Sequence, residues 1–244
     1  MTKSEIYSFL DLTSLSSIDN INSIAELVKF AIDKEEKGFK PAALCVFPQF
    51  YKSLQEGLLK SQIRSAVVAG AFPHGLASLE TKVFEVKQLA DNGIDEIDIV
   101  INRGLILAEE FDQAQKELEA IRQACPNVCL KVILETGELQ SEKLIKHATQ
   151  TAINAQADFV KTSTGKSTIG ATPEAVHWMC EVVKEHHQKT GNQVGIKVSG
   201  GVKTEQEARD YISIVQNILG DSWLSPSLFR IGASSLANEL IKDL

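Results

Sequence analysis

Asp158-Phe159-Val160-Lys161-Thr162-Ser163-Thr164, the helical run Pro173–Thr190, and Val194-Gly195-Ile196-Lys197-Val198-Ser199 together decide the architecture of this chain. Two short apolar, β-branched segments flank a longer amphipathic one. That is the pattern of a strand, a helical crossover and a second, parallel strand. Thr172-Pro173 marks the helix start, with a capping hydroxyl followed by proline at the first helical position, where its missing N–H costs nothing.

The unit repeats in both directions. Strands are expected at Phe9–Thr13, Ala42–Phe47, Ser65–Gly70, Glu96–Asn102, Cys129–Thr136, Asp158–Thr164, Val194–Ser199 and Leu228–Gly232. Helices are expected near Ile18–Lys37, Tyr51–Ser61, Leu76–Asn92, Ala108–Ala124, Ser141–Ala155, Pro173–Thr190, Glu205–Leu219 and Ser235–Leu244, with Asn92-Gly93 as a helix stop. Helix after strand, eight times over, predicts an α/β fold, a (β/α)8 TIM barrel forming a single domain over residues 1–244. An open doubly wound sheet is the competing arrangement, but it would carry a Gly-rich first turn. The first strand here runs into Asp11-Leu12-Thr13-Ser14-Leu15 instead.

The bulk properties narrow the function. With 244 residues, 43% hydrophobic and 23% charged, the chain has room for one such barrel and its core. A net charge of −7 argues against a nucleic-acid partner, which would want a basic face. No run approaches the roughly 18 apolar residues of a membrane span. The start, Met1-Thr2-Lys3-Ser4-Glu5, has no apolar leader, so a soluble cytoplasmic protein with no membrane partner is expected. Cys45, Cys125, Cys129 and Cys180 form no CxxC pair and read as reduced thiols. His186 and His187 are neighbours on a helix, pointing about 100° apart, and cannot both face one ion. No metal is expected.

Charge inside strands is the functional signal. Lys, Glu and Asp are almost never fully buried unless paired. In Glu96-Ile97-Asp98-Ile99-Val100-Ile101, alternation turns the isoleucines toward the helices and Glu96 and Asp98 into the lumen. The same alternation puts Lys131 and Glu135 together on the inner face of their strand and turns Lys161 and Lys197 inward. An inert lumen network of ion pairs is one reading. Desolvating paired ions costs several kcal/mol, however, so such a cluster points rather to a site. Lys161, Lys197 and Glu135 lie toward the C-terminal strand ends, the face on which barrel active sites are built.

Two lysines and an aspartate suit carbonyl chemistry. An amine attacks a carbonyl only when neutral, and a lysine of pKa about 10.4 is almost wholly protonated near pH 7. A second ammonium about 4 Å away, at an effective dielectric of about 20, costs the charged form about 4 kcal/mol, or about three pKa units. On this arithmetic one neighbouring lysine suffices to activate another, with Asp98 as the general acid/base.

The last strands run into Thr164-Gly165-Lys166-Ser167, Ser199-Gly200-Gly201-Val202-Lys203 and Gly232-Ala233-Ser234-Ser235. Such loops let backbone N–H groups converge on an anion, so a phosphate site is expected there. Gly165-Lys166-Ser167 also ends like a P-loop. Val160 occupies the position of the leading glycine, however, and the helix opens at Thr172-Pro173 rather than at Ser167.

The quoted segments, together with Asp11-Leu12-Thr13, Cys45-Val46-Phe47-Pro48, Phe72-Pro73-His74-Gly75 and Lys131 through Thr136, resemble the deoxyribose-phosphate aldolase family along nearly the whole chain. The resemblance implies reversible cleavage of 2-deoxy-D-ribose 5-phosphate to D-glyceraldehyde 3-phosphate and acetaldehyde, without cofactor or metal. It implies Lys161 as the Schiff-base lysine, Lys197 as its perturbing neighbour and Asp98 as the proton-transfer carboxylate. Gly165, Lys166, Gly200, Gly201, Gly232, Ser234 and Ser235 fall to the phosphate by the same resemblance, with Thr13, Thr164, Asp11 and Lys131 as further polar residues near the substrate. A homodimer is a family-level expectation.

Two departures stand out. Some members end in a tail with a terminal tyrosine that assists proton transfer, whereas this chain ends Lys242-Asp243-Leu244, and Val198 stands where many relatives have proline or alanine. Another lysine-dependent aldolase or a transaldolase is a second reading, and a phosphosugar-binding protein without turnover a third. Cys45 reads as a small core residue beside the pocket.

Overall fold

The computed structural model describes residues 1–242. Eight parallel strands close in sequential order into a barrel: β1 Leu10–Thr13, β2 Ala43–Val46, β3 Arg64–Ala69, β4 Glu96–Val100, β5 Cys129–Ile133, β6 Phe159–Lys161, β7 Gly195–Ser199 and β8 Phe229–Ala233. β8 pairs back onto β1 through Leu10 with Ile231 and Asp11 with Gly232, which closes the ring and leaves no sheet edge. The competing open sheet is thereby excluded.

The principal crossover helices are α2 Ile21–Glu35, α3 Tyr51–Leu58, α4 Leu79–Asp91, α6 Phe111–Ala124, α8 Glu142–Asn154, α9 Pro173–Thr190 and α10 Glu205–Leu219, with α11 Leu236–Ile241 last. Their starts follow local chemistry. Thr172 accepts from the Ala175 amide ahead of Pro173, and Thr204 and Glu207 form a reciprocal capping box on α10. The Asn92-Gly93 stop is present, with Gly93 at φ 75°. Ile97, Ile99 and Ile101 point outward into the main core and have no exposed surface, so the alternation expected for β4 holds. The four cysteines are free thiols.

Three short helices were not legible in the hydrophobic period: α1 Lys3–Tyr7, α5 Arg103–Leu107 and α7 Thr136–Leu139. Two strands are shorter than expected by three residues or more. β5 ends at Ile133 because Glu135 adopts a left-handed conformation, φ 57°, which no ladder accommodates. β6 ends at Lys161 because the Thr162 hydroxyl then takes over the pairing, donating to the Ser199 carbonyl at 2.9 Å and accepting from the Ser199 amide at 2.9 Å. Of the helix expected over Ser235–Leu244, Asp243 and Leu244 lie outside the described residues.

Candidate active site

The lumen is divided. On the β2–β3 side it is apolar, with Ala43, Cys45, Ala66 and Val68 packed beside Leu15. The remainder carries charge. Asp98 on β4 faces Lys131, its register partner on β5, and Lys161 on β6 is the register partner of Lys197 on β7. Lys161 Nζ lies 2.7 Å from Asp98 Oδ2, and Lys197 Nζ lies 2.6 Å from the same oxygen. Lys197 also reaches Asp11 Oδ2 at 2.5 Å. Lys131 contacts Asp98 Oδ1 at 3.0 Å, Asp11 Oδ2 at 3.3 Å and Glu96.

These contacts set the proton affinities. Burial penalises the Lys161 ammonium most, Asp98 opposes that, and the neighbouring Lys197 charge adds to the penalty, so the Lys161 pKa falls below that of an ordinary lysine. Burial works against the charge of Lys197 too, but Asp11 and Asp98 together outweigh it and the pKa rises. For Asp98, burial favours the neutral acid, yet Lys131, Lys161 and Lys197 together hold the carboxyl well below the usual range. A neighbouring ammonium alone would suffice on charge grounds. Burial is in fact the larger cause, because the amine is enclosed to 3% exposure and water cannot solvate its charge.

Above the charged layer a cleft of about 410 Å³ opens at the C-terminal ends of the strands. Lys161 lies at its floor, and Thr13, Thr164, Gly165, Lys166, Gly200, Gly201, Gly232, Ser234 and Ser235 all line it. Gly200 and Gly201 have φ of 89° and 95°, a conformation that only glycine adopts without strain. Lys166 Nζ donates to the Leu15 carbonyl across the cleft. Asp98, Lys197, Asp11 and Lys131 have no exposed surface and lie beneath the cleft rather than on its wall.

Three placements differ from expectation. Lys197 is at the middle of β7, not its end. Glu135 does not share an inner face with Lys131. The left-handed turn carries it to the β6 loop, where it accepts from Ser163 Oγ at 2.6 Å, Ser167 Oγ at 2.8 Å and the Thr164 hydroxyl, with Arg103 3.6 Å away. Arg230, near the N-terminal end of β8, was missed: it donates to Asp11 at 2.5 Å and Glu96 at 2.8 Å. An arginine between Phe229 and Ile231 in an expected strand was the available signal. Cys45 is wholly buried, and burial pushes its thiol up to about 11, so it carries no thiolate near neutrality.

Among known proteins, the family model described as DeoC/LacD family aldolase matches residues 8–240. A deoxyribose-phosphate aldolase of Mus musculus is 38% identical over 250 residues, covering 97% of this chain and 78% of that protein. One of Homo sapiens is 36% identical over 249 residues, with coverage of 97% and 78%. Among solved structures, the tetrameric deoxyribose phosphate aldolase of Aeropyrum pernix superposes with a TM-score of 0.79 at 25% identity, covering 99% of this chain and 92% of that one.

Proposed function

The chain belongs to the DeoC/LacD family of aldolases, and on that premise we propose that it cleaves 2-deoxy-D-ribose 5-phosphate reversibly to D-glyceraldehyde 3-phosphate and acetaldehyde, with Lys161 as the Schiff-base amine. The observation that carries the assignment of Lys161 is its setting: a buried amine of lowered proton affinity at the floor of a cleft, in contact with a single carboxylate that a second lysine shares.

In the proposed reaction the neutral Lys161 Nζ adds to the aldehyde carbon C1, and the carbinolamine loses water to give an iminium ion. The C3 hydroxyl then releases its proton, the C2–C3 bond breaks with its electron pair moving to C2, and glyceraldehyde 3-phosphate leaves. The remaining enamine is protonated at C2, water adds to C1, and acetaldehyde departs as the amine is regenerated. Asp98 is within hydrogen-bond reach of Lys161 for these proton transfers. Because its neighbours hold it ionised, it serves as a relay that is protonated only in passing, while Lys197, charged and on the same oxygen, is the resident donor. Leu15, which lines the cleft and packs on the apolar β2–β3 side of the lumen, suits the two-carbon end of the substrate, which bears no hydroxyl at C2. The glycine loops with Thr164, Lys166, Ser234 and Ser235 suit the 5-phosphate. Asp11 and Lys131 support the site from below.

A cytoplasmic enzyme acting as a homodimer belongs to the same proposal. The test is release of acetaldehyde and glyceraldehyde 3-phosphate in equal amounts from 2-deoxyribose 5-phosphate, in the presence of a metal chelator. Binding of the sugar phosphate without release of either product would contradict it.

A further inference from the structure

Charge in the lumen does not stop at the two lysines of the reaction. Lys131, Lys161, Lys197 and Arg230 face Asp11, Glu96 and Asp98 in one contiguous set of ion pairs. The partners are unevenly shared. Lys131 touches three carboxylates, and Lys197 and Arg230 two each, but Lys161 touches Asp98 alone. Among the buried groups of this set four cations face three carboxylates, so one positive charge is in excess, and the amine with a single partner is the cheapest to neutralise; Arg64, near Glu96, is exposed and water screens its charge.

Arg230 and Glu96 lie at the far end of this set. Neither lines the substrate cleft. Both line a separate cavity of about 530 Å³ at the N-terminal mouth of the barrel, where Arg64 approaches Glu96 at 3.7 Å. Arg230 Nη1 occupies Asp11 Oδ1, leaving Oδ2 to Lys197 and Lys131. Its guanidinium also lies over the Phe159 ring, 5.4 Å from the centroid, and donates to the Pro226 carbonyl. An arginine never gives up its proton in this setting, so it contributes a fixed charge.

We propose that Arg230 and Glu96 are positioning residues of the aldol reaction, acting through Asp11 and Lys131 so that Lys161 is the amine of the lumen that gives up its proton. The inference rests on Lys161 being the Schiff-base amine. The groups facing Lys161 are Asp98, Lys197 and the Cys45 thiol. Those facing Glu96 are Lys131, Arg230 and Arg64. Removing Arg230 leaves three amines against three carboxylates, a balanced set in which Lys161 keeps its proton. Removing the Glu96 charge leaves four cations against two carboxylates, and Lys161 sheds its proton more readily.

The two changes therefore have opposite signs, which a merely structural role would not produce. The experiment is the pH dependence of kcat/KM for 2-deoxyribose 5-phosphate in the unaltered protein, Arg230→Met, Arg230→Lys, Glu96→Gln and the double variant Arg230→Met/Glu96→Gln. Arg230→Met moves the acid limb alkaline and Glu96→Gln moves it acid, each by on the order of one pH unit. The double variant, with its one excess positive charge restored, returns the limb toward its original place, and Arg230→Lys leaves the limb there at whatever amplitude it retains. Should Arg230→Met fail to fold, the isosteric Glu96→Gln carries the test. Borohydride trapping of the unaltered protein separates the two failures: no adduct on Lys161 sinks that assignment and this inference together. An adduct on Lys161 with unmoved limbs, or with both limbs moved in the same direction, overturns this inference alone.

Discussion

Lys161 and Lys197 are register partners on adjacent strands and reach the same oxygen of Asp98, at 2.7 and 2.6 Å. They do not bear the proton equally, because Lys197 has a second carboxylate, Asp11, at 2.5 Å and Lys161 has none. One amine is pushed toward neutrality and the other away from it. The difference between nucleophile and permanent cation comes from one neighbour.

Lys161→Arg keeps a cation on Asp98 but cannot form the imine, since a guanidinium is not a nucleophile near neutrality. We predict loss of aldol cleavage by at least about three orders of magnitude with an unchanged far-ultraviolet dichroism spectrum. Wild-type turnover in this variant would remove Lys161 from the chemistry.

Lys197→Leu takes one ammonium from beside Lys161 and leaves Asp98 free to hold the remaining proton. The Lys161 pKa rises, and the acid limb of the rate profile moves alkaline by on the order of one pH unit. Burial continues to depress Lys161, so the limb stays below that of a free lysine. A limb that stays at its original pH would mean that burial alone sets the amine.

Acid stability follows from Asp11 and Asp98, both with native pKa values below the ordinary 3.8. Between the native and unfolded values the unfolded chain binds more protons, so stability rises with pH. The contribution is complete above about pH 5 and is lost progressively as the pH falls below it toward the native values. Urea unfolding across a pH series should show this loss, and Asp98→Asn should flatten it. An equal slope in the variant would contradict the linkage.

Gly232 makes room for the Lys197 side chain. A Cβ there would come 2.8 Å from Ser199 Cβ and 3.2 Å from Lys197 Cε. Gly232→Ala should cost about 1–3 kcal/mol by overpacking and lower kcat by displacing Lys197. Thermal unfolding and steady-state rates check both parts, and a variant of unchanged stability would show that the strand gives way freely.

The barrel was legible because its crossovers repeat a simple period and its caps, such as Thr172-Pro173, are local. Lys161, Lys197 and Asp98 were legible as charges in strands otherwise buried on both faces. Glu135 was misplaced because strand alternation carries no warning of a left-handed residue. Arg230 escaped because its partners, Asp11 and Glu96, lie far away in sequence and meet it only once the barrel closes. The dominance of burial over Lys197 in activating Lys161 depends on packing density around one amine, which residue spacing does not report.

Schiff-base chemistry at Lys161 is tested by incubating the protein with 2-deoxyribose 5-phosphate, reducing with borohydride and mapping the adduct by peptide mass. A single stable adduct on Lys161 is expected, formed equally well with a chelator present. An adduct on Lys197 would mean that the roles of the two lysines are exchanged, and binding without any adduct would contradict Schiff-base chemistry in this lumen.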